Sequence, residues 1–142
     1  MNTDRESNRK TAPKLDEALV GAIFTVGAEQ SFCNILLEAI DEALSSLGES
    51  AKIAMYFHLE NTFKIKKLEI PDRIDEFQDA LEKLLGLGAR HLEIMFMKNL
   101  YAKIKTVYKM DTPTRVVSEL TFGEYVRNVK RTFQEALKTS FN

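Results

Sequence analysis

Residues 32–47, FCNILLEAIDEALSSL, carry the pattern that decides the fold class. Phe32, Ile35, Leu36, Ala39, Ile40, Ala43, Leu44 and Leu47 recur at spacings of three and four, which places them on one broad face of a helix. Asn34, Glu38, Asp41, Glu42 and Ser45 occupy the opposite side. Cys33 falls inside the apolar arc, so it reads as a core thiol rather than a nucleophile. Gly48 is the natural stop for this helix, and Ser50 is placed to cap a second one running to about Phe63.

Downstream, Lys64 to Ile70 forms a basic connector. Pro71 stands where a first helical turn tolerates proline, with Asp72 and Asp75 favourable at the positive end of that helix. Ile74, Phe77, Leu81, Leu84 and Leu85 make its apolar stripe, and Gly86-Leu87-Gly88 breaks it. A further helix begins at Ala89 and extends to Ile104 or Tyr108. Through Leu92, Ile94, Met95, Phe96 and Met97 it is apolar nearly all round, as a helix at the centre of a domain would be. A strand over 102–110 is the weaker alternative for its end. Asp111 to Thr114 reads as a loop. The last helix, about 121–138, has the clearest start: Thr121 and Glu124 are spaced as a capping box, and Leu120 can staple onto Tyr125. Phe122, Tyr125, Val126, Val129, Phe133 and Leu137 then form its buried stripe.

Upstream, residues 1–13 are almost wholly polar and read as a disordered tail. From Lys14 to Ala28, Leu15, Leu19, Ala22 and Val26 fit a helical stripe, while Gly21, Gly27 and the β-branched Ile23, Thr25 and Val26 leave a strand open. The expectation is an all-α, single-domain bundle of five or six helices over residues 14–142.

Composition narrows the function classes. The chain has 142 residues, 44% hydrophobic and 29% charged, an ordinary globular balance with room for one well-buried core. Basic and acidic residues nearly cancel, 20 against 21, so no global field draws the chain to nucleic acid or membrane. Their distribution is uneven: residues 1–50 hold 4 Lys/Arg and 9 Asp/Glu, and residues 98–142 hold 9 and 4. A single cysteine excludes an internal disulfide and favours a reducing compartment. The apolar run from Ala18 to Ala28 is too short to span a bilayer. Arg5, Arg9, Lys10 and Lys14 precede it in the order of a signal peptide, but Asp16 and Glu17 abut the run, and Val26-Gly27-Ala28 is a poor cleavage site. The expected location is cytoplasmic, with no membrane partner.

No phosphate-cradling glycine loop, nucleophile elbow, H-E-x-x-H or C-x-x-C is present. His58 and His91 each lack the Glu three residues earlier that a di-iron bundle needs, and both read as solvated or capping side chains. The expectation is no catalytic residue, no metal site and no cofactor. Two carboxylates stand out. Glu60 points between Tyr56, Phe57 and Phe63, and Glu93 among Ala89, Phe96, Leu100 and Ile104, each inside an apolar arc. A buried carboxylate must be paired, protonated or near an edge. The plain reading pairs Glu60 with Lys64 or Lys52, and Glu93 with Arg90 or Lys98. The sharper one is an interior polar network of Tyr56, Glu60 and Glu93 that holds a ligand or fixes a dimer seam. Arg127, Lys130, Arg131 and Lys138 gather on the outer side of the last helix, as a solvated face or as phosphate contacts.

Within residues 40–100 the order Leu47-Gly48-Glu49-Ser50, Tyr56-Phe57-His58-Leu59-Glu60, Ile70-Pro71, Phe77, Leu85-Gly86, Gly88-Ala89 and Leu92-Glu93-Ile94 resembles the Nitrosopumilus output domain family and related archaeal domains of unknown function. Phe122-Gly123-Glu124-Tyr125-Val126, with Lys130 and Phe133, is similar to the end of that family. The resemblance implies an archaeal, intracellular, non-enzymatic helical module of signal output or protein interaction, and an apolar helix such as Ala18–Val26 is the expected seat of self-association. Nucleic-acid binding through the basic last helix is the alternative. A ligand binder or enzyme around Glu60 and Glu93 comes third.

Overall fold

The computed structural model describes residues 17–107 and 120–139. Five α-helices and one 3-10 turn account for nearly all of them, and among the described residues there is no strand. The helices are α1 (Glu17–Ser45), α2 (Glu49–Asn61), α3 (Ile74–Leu85), α4 (Gly88–Val107) and α5 (Phe122–Thr139), with the 3-10 turn Lys67–Asp72 between α2 and α3. The all-α bundle expected from periodicity is the observed architecture. The tail at 1–13, the loop at 111–114 and the end of the alternative strand at 108–110 lie outside the described residues; residues 102–107 are helical.

The apolar stripes meet in one contiguous core. The most extensive packing is between α1 and α4; α1 also carries α2, α5 and the 3-10 turn, while α3 and α5 close over α4. Phe32, Leu36, Ile40 and Leu44 of α1 are fully buried, as are Phe96, Met97, Leu100 and Ile104 of α4. Phe77, Phe96 and Phe122 form an aromatic cluster with ring centroids 5.4–6.1 Å apart, which ties α3, α4 and α5 together. Phe32 meets Phe133 at 5.9 Å on the other side.

Four local expectations are corrected. The segments read separately before and after residue 30 are one continuous helix of 29 residues, so the two glycines Gly21 and Gly27 lie in helix interior. Ser50 does not cap α2. The cap position belongs to Gly48, whose φ of 106° lies where only glycine is unstrained, and no side chain bonds there. Pro71 sits inside the 3-10 turn rather than at the start of α3, which begins at Ile74 with Asp75 and Glu76 in its first turn. Leu47 falls beyond the end of α1 and is exposed, because the turn at Gly48 removes it from the core-facing stripe.

Candidate functional site

The buried stripe of α2 is narrow, since α2 packs chiefly on α1: Met55 and Leu59 are buried, with Lys52, Tyr56 and Phe63 half-buried beside them. Glu60 lies roughly a quarter turn from this stripe and is exposed, together with Ile53 and Phe57. The expectation that Glu60 occupies an interior arc is therefore overturned. Lys52 is engaged by Asp41 and Glu49, and Lys64 donates to the Asn61 carbonyl oxygen at 2.9 Å. His58 and His91 are both exposed.

Tyr56 is held by a carboxylate that sequence reasoning placed on a plain polar face. Its hydroxyl donates to Asp41 Oδ1 at 2.9 Å, Lys67 Nζ donates to the same oxygen at 3.1 Å, and Lys52 Nζ lies 3.7 Å from Oδ2. Lys67 also stands 4.9 Å above the Tyr56 ring. Burial pushes the Asp41 carboxyl up, but the Lys67 and Tyr56 hydrogen bonds and the two lysine charges outweigh it and hold the group below its usual value. Burial, and then the bond to Asp41, raise the Tyr56 hydroxyl. The signal for this cluster was the hairpin register: folding about Gly48 brings residue 41 opposite residues 55 and 56.

Glu93 is buried as expected, only 2% exposed, and is the one charged or polar residue so buried among those described. Its surroundings differ from those expected. The groove it lines holds Gln78 and Glu82 from α3, Gly86 and Leu87 from the connection, Arg90 from α4, and Leu120 with Thr121 at the start of α5. Burial raises the Glu93 carboxyl, the Glu82 charge raises it further, and Arg90 opposes both less strongly. Arg90 donates through Nη2 to the Leu120 carbonyl oxygen at 2.9 Å, which pins the chain entering α5 to α4. Tyr56, Glu60 and Glu93 thus occupy three separate surroundings and form no shared network.

The basic residues of α5 divide as well. Arg127 bonds Asp75 of α3 at 2.9 Å, and Lys130 is half-buried. Both border a groove that contains Asp72, Asp75 and Glu76. Arg131 is exposed, and Lys138 lies in α5 with its side chain outside those described. Burial raises the half-buried Cys33 thiol, Lys130 lowers it, and Asp72 and Glu29 raise it again. Among the described residues no group of three His, Cys, Asp or Glu side chains could hold a metal ion.

The largest apolar exposure is on α1 before the core begins. Leu19 is 49% exposed, Ile23 59% and Val26 65%, with Val20 similar; Ala28 is the first buried residue of the helix among the described side chains. At 100° per residue these bulky side chains fall roughly 100–160° from the centre of the core face set by Phe32, Leu36 and Ala43. Ala18, Gly21 and Ala22 lie nearer the line of the core face, but they are small and exposed. By length and composition, α1 is the one helix among the described residues long and apolar enough to cross a membrane, which the eleven-residue estimate missed. A core helix or a signal sequence meets the same criterion, and the second half of α1 is a core helix.

No protein-family model matches the chain, and no curated protein or solved structure matches it.

Proposed function

We propose that this chain is a non-enzymatic, cytoplasmic interaction module that self-associates through the projecting N-terminal half of α1. The observation that carries this reading is the turn of Leu19, Val20, Ile23 and Val26 away from the chain's own core. A helix apolar on sides that the described residues leave uncovered gains from cover. A second copy supplies an identical apolar helix, the self-complementary patch a two-fold dimer requires. Four half-exposed side chains in each of two copies yield on the order of 6–12 kcal/mol when covered. Association costs about 4–15 kcal/mol, so the assembly is reversible and concentration-dependent.

Nucleic-acid binding is less supported, because Arg127 is engaged by Asp75 and Lys130 borders a groove in which acidic and basic residues balance. Light scattering on the full chain across a dilution series tests the reading. A mass that rises with concentration, and falls to the monomer in Ile23→Asp, is the expected outcome. A monomer at every concentration would refute it.

A further inference from the structure

The groove around Glu93 has a particular hydrogen-bonding character. At the start of α5, the Gly123 N–H donates to Gln78 Oε1 at 3.0 Å and the Glu124 N–H donates to Thr121 Oγ1 at 3.1 Å. The helix N-terminus that could otherwise draw an anion already has its donors engaged. Arg90 is tied to the Leu120 carbonyl. Gln78 Nε2 points to Glu82 Oε1 at 3.4 Å. Among the described lining residues, the Arg90 charge offsets part of the acidity, and the Glu82 and Glu93 carboxylates stand as the strong acceptors. Among the described residues no hydrogen bond ends on the Glu93 carboxylate, although the residue is 2% exposed and lines a groove of about 620 Å³. The carboxylate meets solvent only through this groove, and a cationic donor seated there offsets the cost of its burial.

We propose that this groove binds an alkylammonium group, held between the Glu93 and Glu82 carboxylates. The ammonium offers three donors to two carboxylates, and its alkyl chain lies along Leu87 and Leu120. Leu87 is 96% exposed, so a bound chain removes apolar surface from water as it neutralises the site. Two carboxylates are too few to replace the water shell of a divalent cation, whereas they match one ammonium. The groove is walled by α3, α4 and α5 and lies outside the projecting part of α1, so it stands independently of self-association.

Calorimetric titration of the full chain with 1,4-diaminobutane tests the proposal, with Nα-acetyl-lysine methylamide as a second arm and 1-butanol as the uncharged control. Tighter binding of the diamine indicates a free amine as the natural ligand, and tighter binding of the lysine derivative a protein side chain. Saturable binding of at least one amine, but not of the alcohol, is expected. Glu93→Gln weakens it about tenfold or more, the loss of one charge-assisted contact, and Glu82→Gln weakens it less. Glu82 is exposed, so its variant reports on binding with the fold intact. Absence of saturable amine binding through the millimolar range, or binding unchanged in both variants, would overturn the proposal.

Discussion

Replacing Phe122 by Ala tests the junction on which both the bundle and the Glu93 groove depend. The ring is fully buried and packs at inclined angles with its centroid 5.4 Å from that of Phe96 and 6.1 Å from that of Phe77, so its removal leaves a cavity between three helices that cannot all collapse at once. Phe→Ala changes of this kind cost about 3–5 kcal/mol, against a total stability of about 5–15 kcal/mol for a domain. For a chain of 142 residues the unfolding entropy is about 0.3 kcal/mol/K, which converts the loss into a fall in Tm of about 10–17 °C. Far-UV circular dichroism of thermal and urea unfolding measures it. The urea midpoint falls with little change in slope, because the unfolded surface is nearly the same. A loss under about 1 kcal/mol would mean that the start of α5 is not docked on α3 and α4 as described.

Further expectations follow from the same contacts. Thr121→Ala removes the acceptor of the Glu124 N–H and lowers stability by about 1 kcal/mol, with an unchanged unfolding midpoint counting against the cap. The Asp41 carboxyl is held below its ordinary value of 3.8, so its contribution is present above that pH and is lost as the pH falls through the folded-state value; Asp41→Asn flattens this acid limb of the stability curve. Glu93 has the opposite sign. Its carboxyl is raised above 4.5, so its cost is absent below that pH and grows as the pH rises through the folded-state value. Glu93→Gln therefore unfolds at a higher midpoint than wild type at neutral pH, and the gain disappears in acid. Tyr125 carries a buried hydroxyl with no hydrogen-bond partner among the described residues, and Tyr125→Phe is neutral or stabilising by up to about 1 kcal/mol in thermal unfolding.

The helical architecture was legible because each stripe repeats at the helical period and ends at glycine or at a cap. Gly48 and Gly86 both adopt positive φ at the ends of helices, as their positions imply. The candidate site was legible only in part. Glu93 could be placed because α4 is covered on several sides, so any residue in its apolar arc is buried. Glu60 was misplaced because α2 is covered on one side only, and helical phase alone does not say how wide a face the neighbours cover. Asp41 and Gln78 were missed since their partners lie 15 and 45 residues away, set by tertiary register rather than by local spacing. The apolar run at 18–28 was visible, but its turn away from the core face emerges only once Phe32, Leu36 and Ala43 define that face.

The account rests most on the exposed apolar half of α1. Sedimentation equilibrium of the full chain, alongside Ile23→Asp/Val26→Asp, tests it directly. The wild-type chain should exceed the 16.2 kDa monomer increasingly with concentration, and the double variant should stay at the monomer mass with unchanged helical content. A wild-type chain that remains monomeric throughout, or a double variant that assembles as well as wild type, would contradict the account.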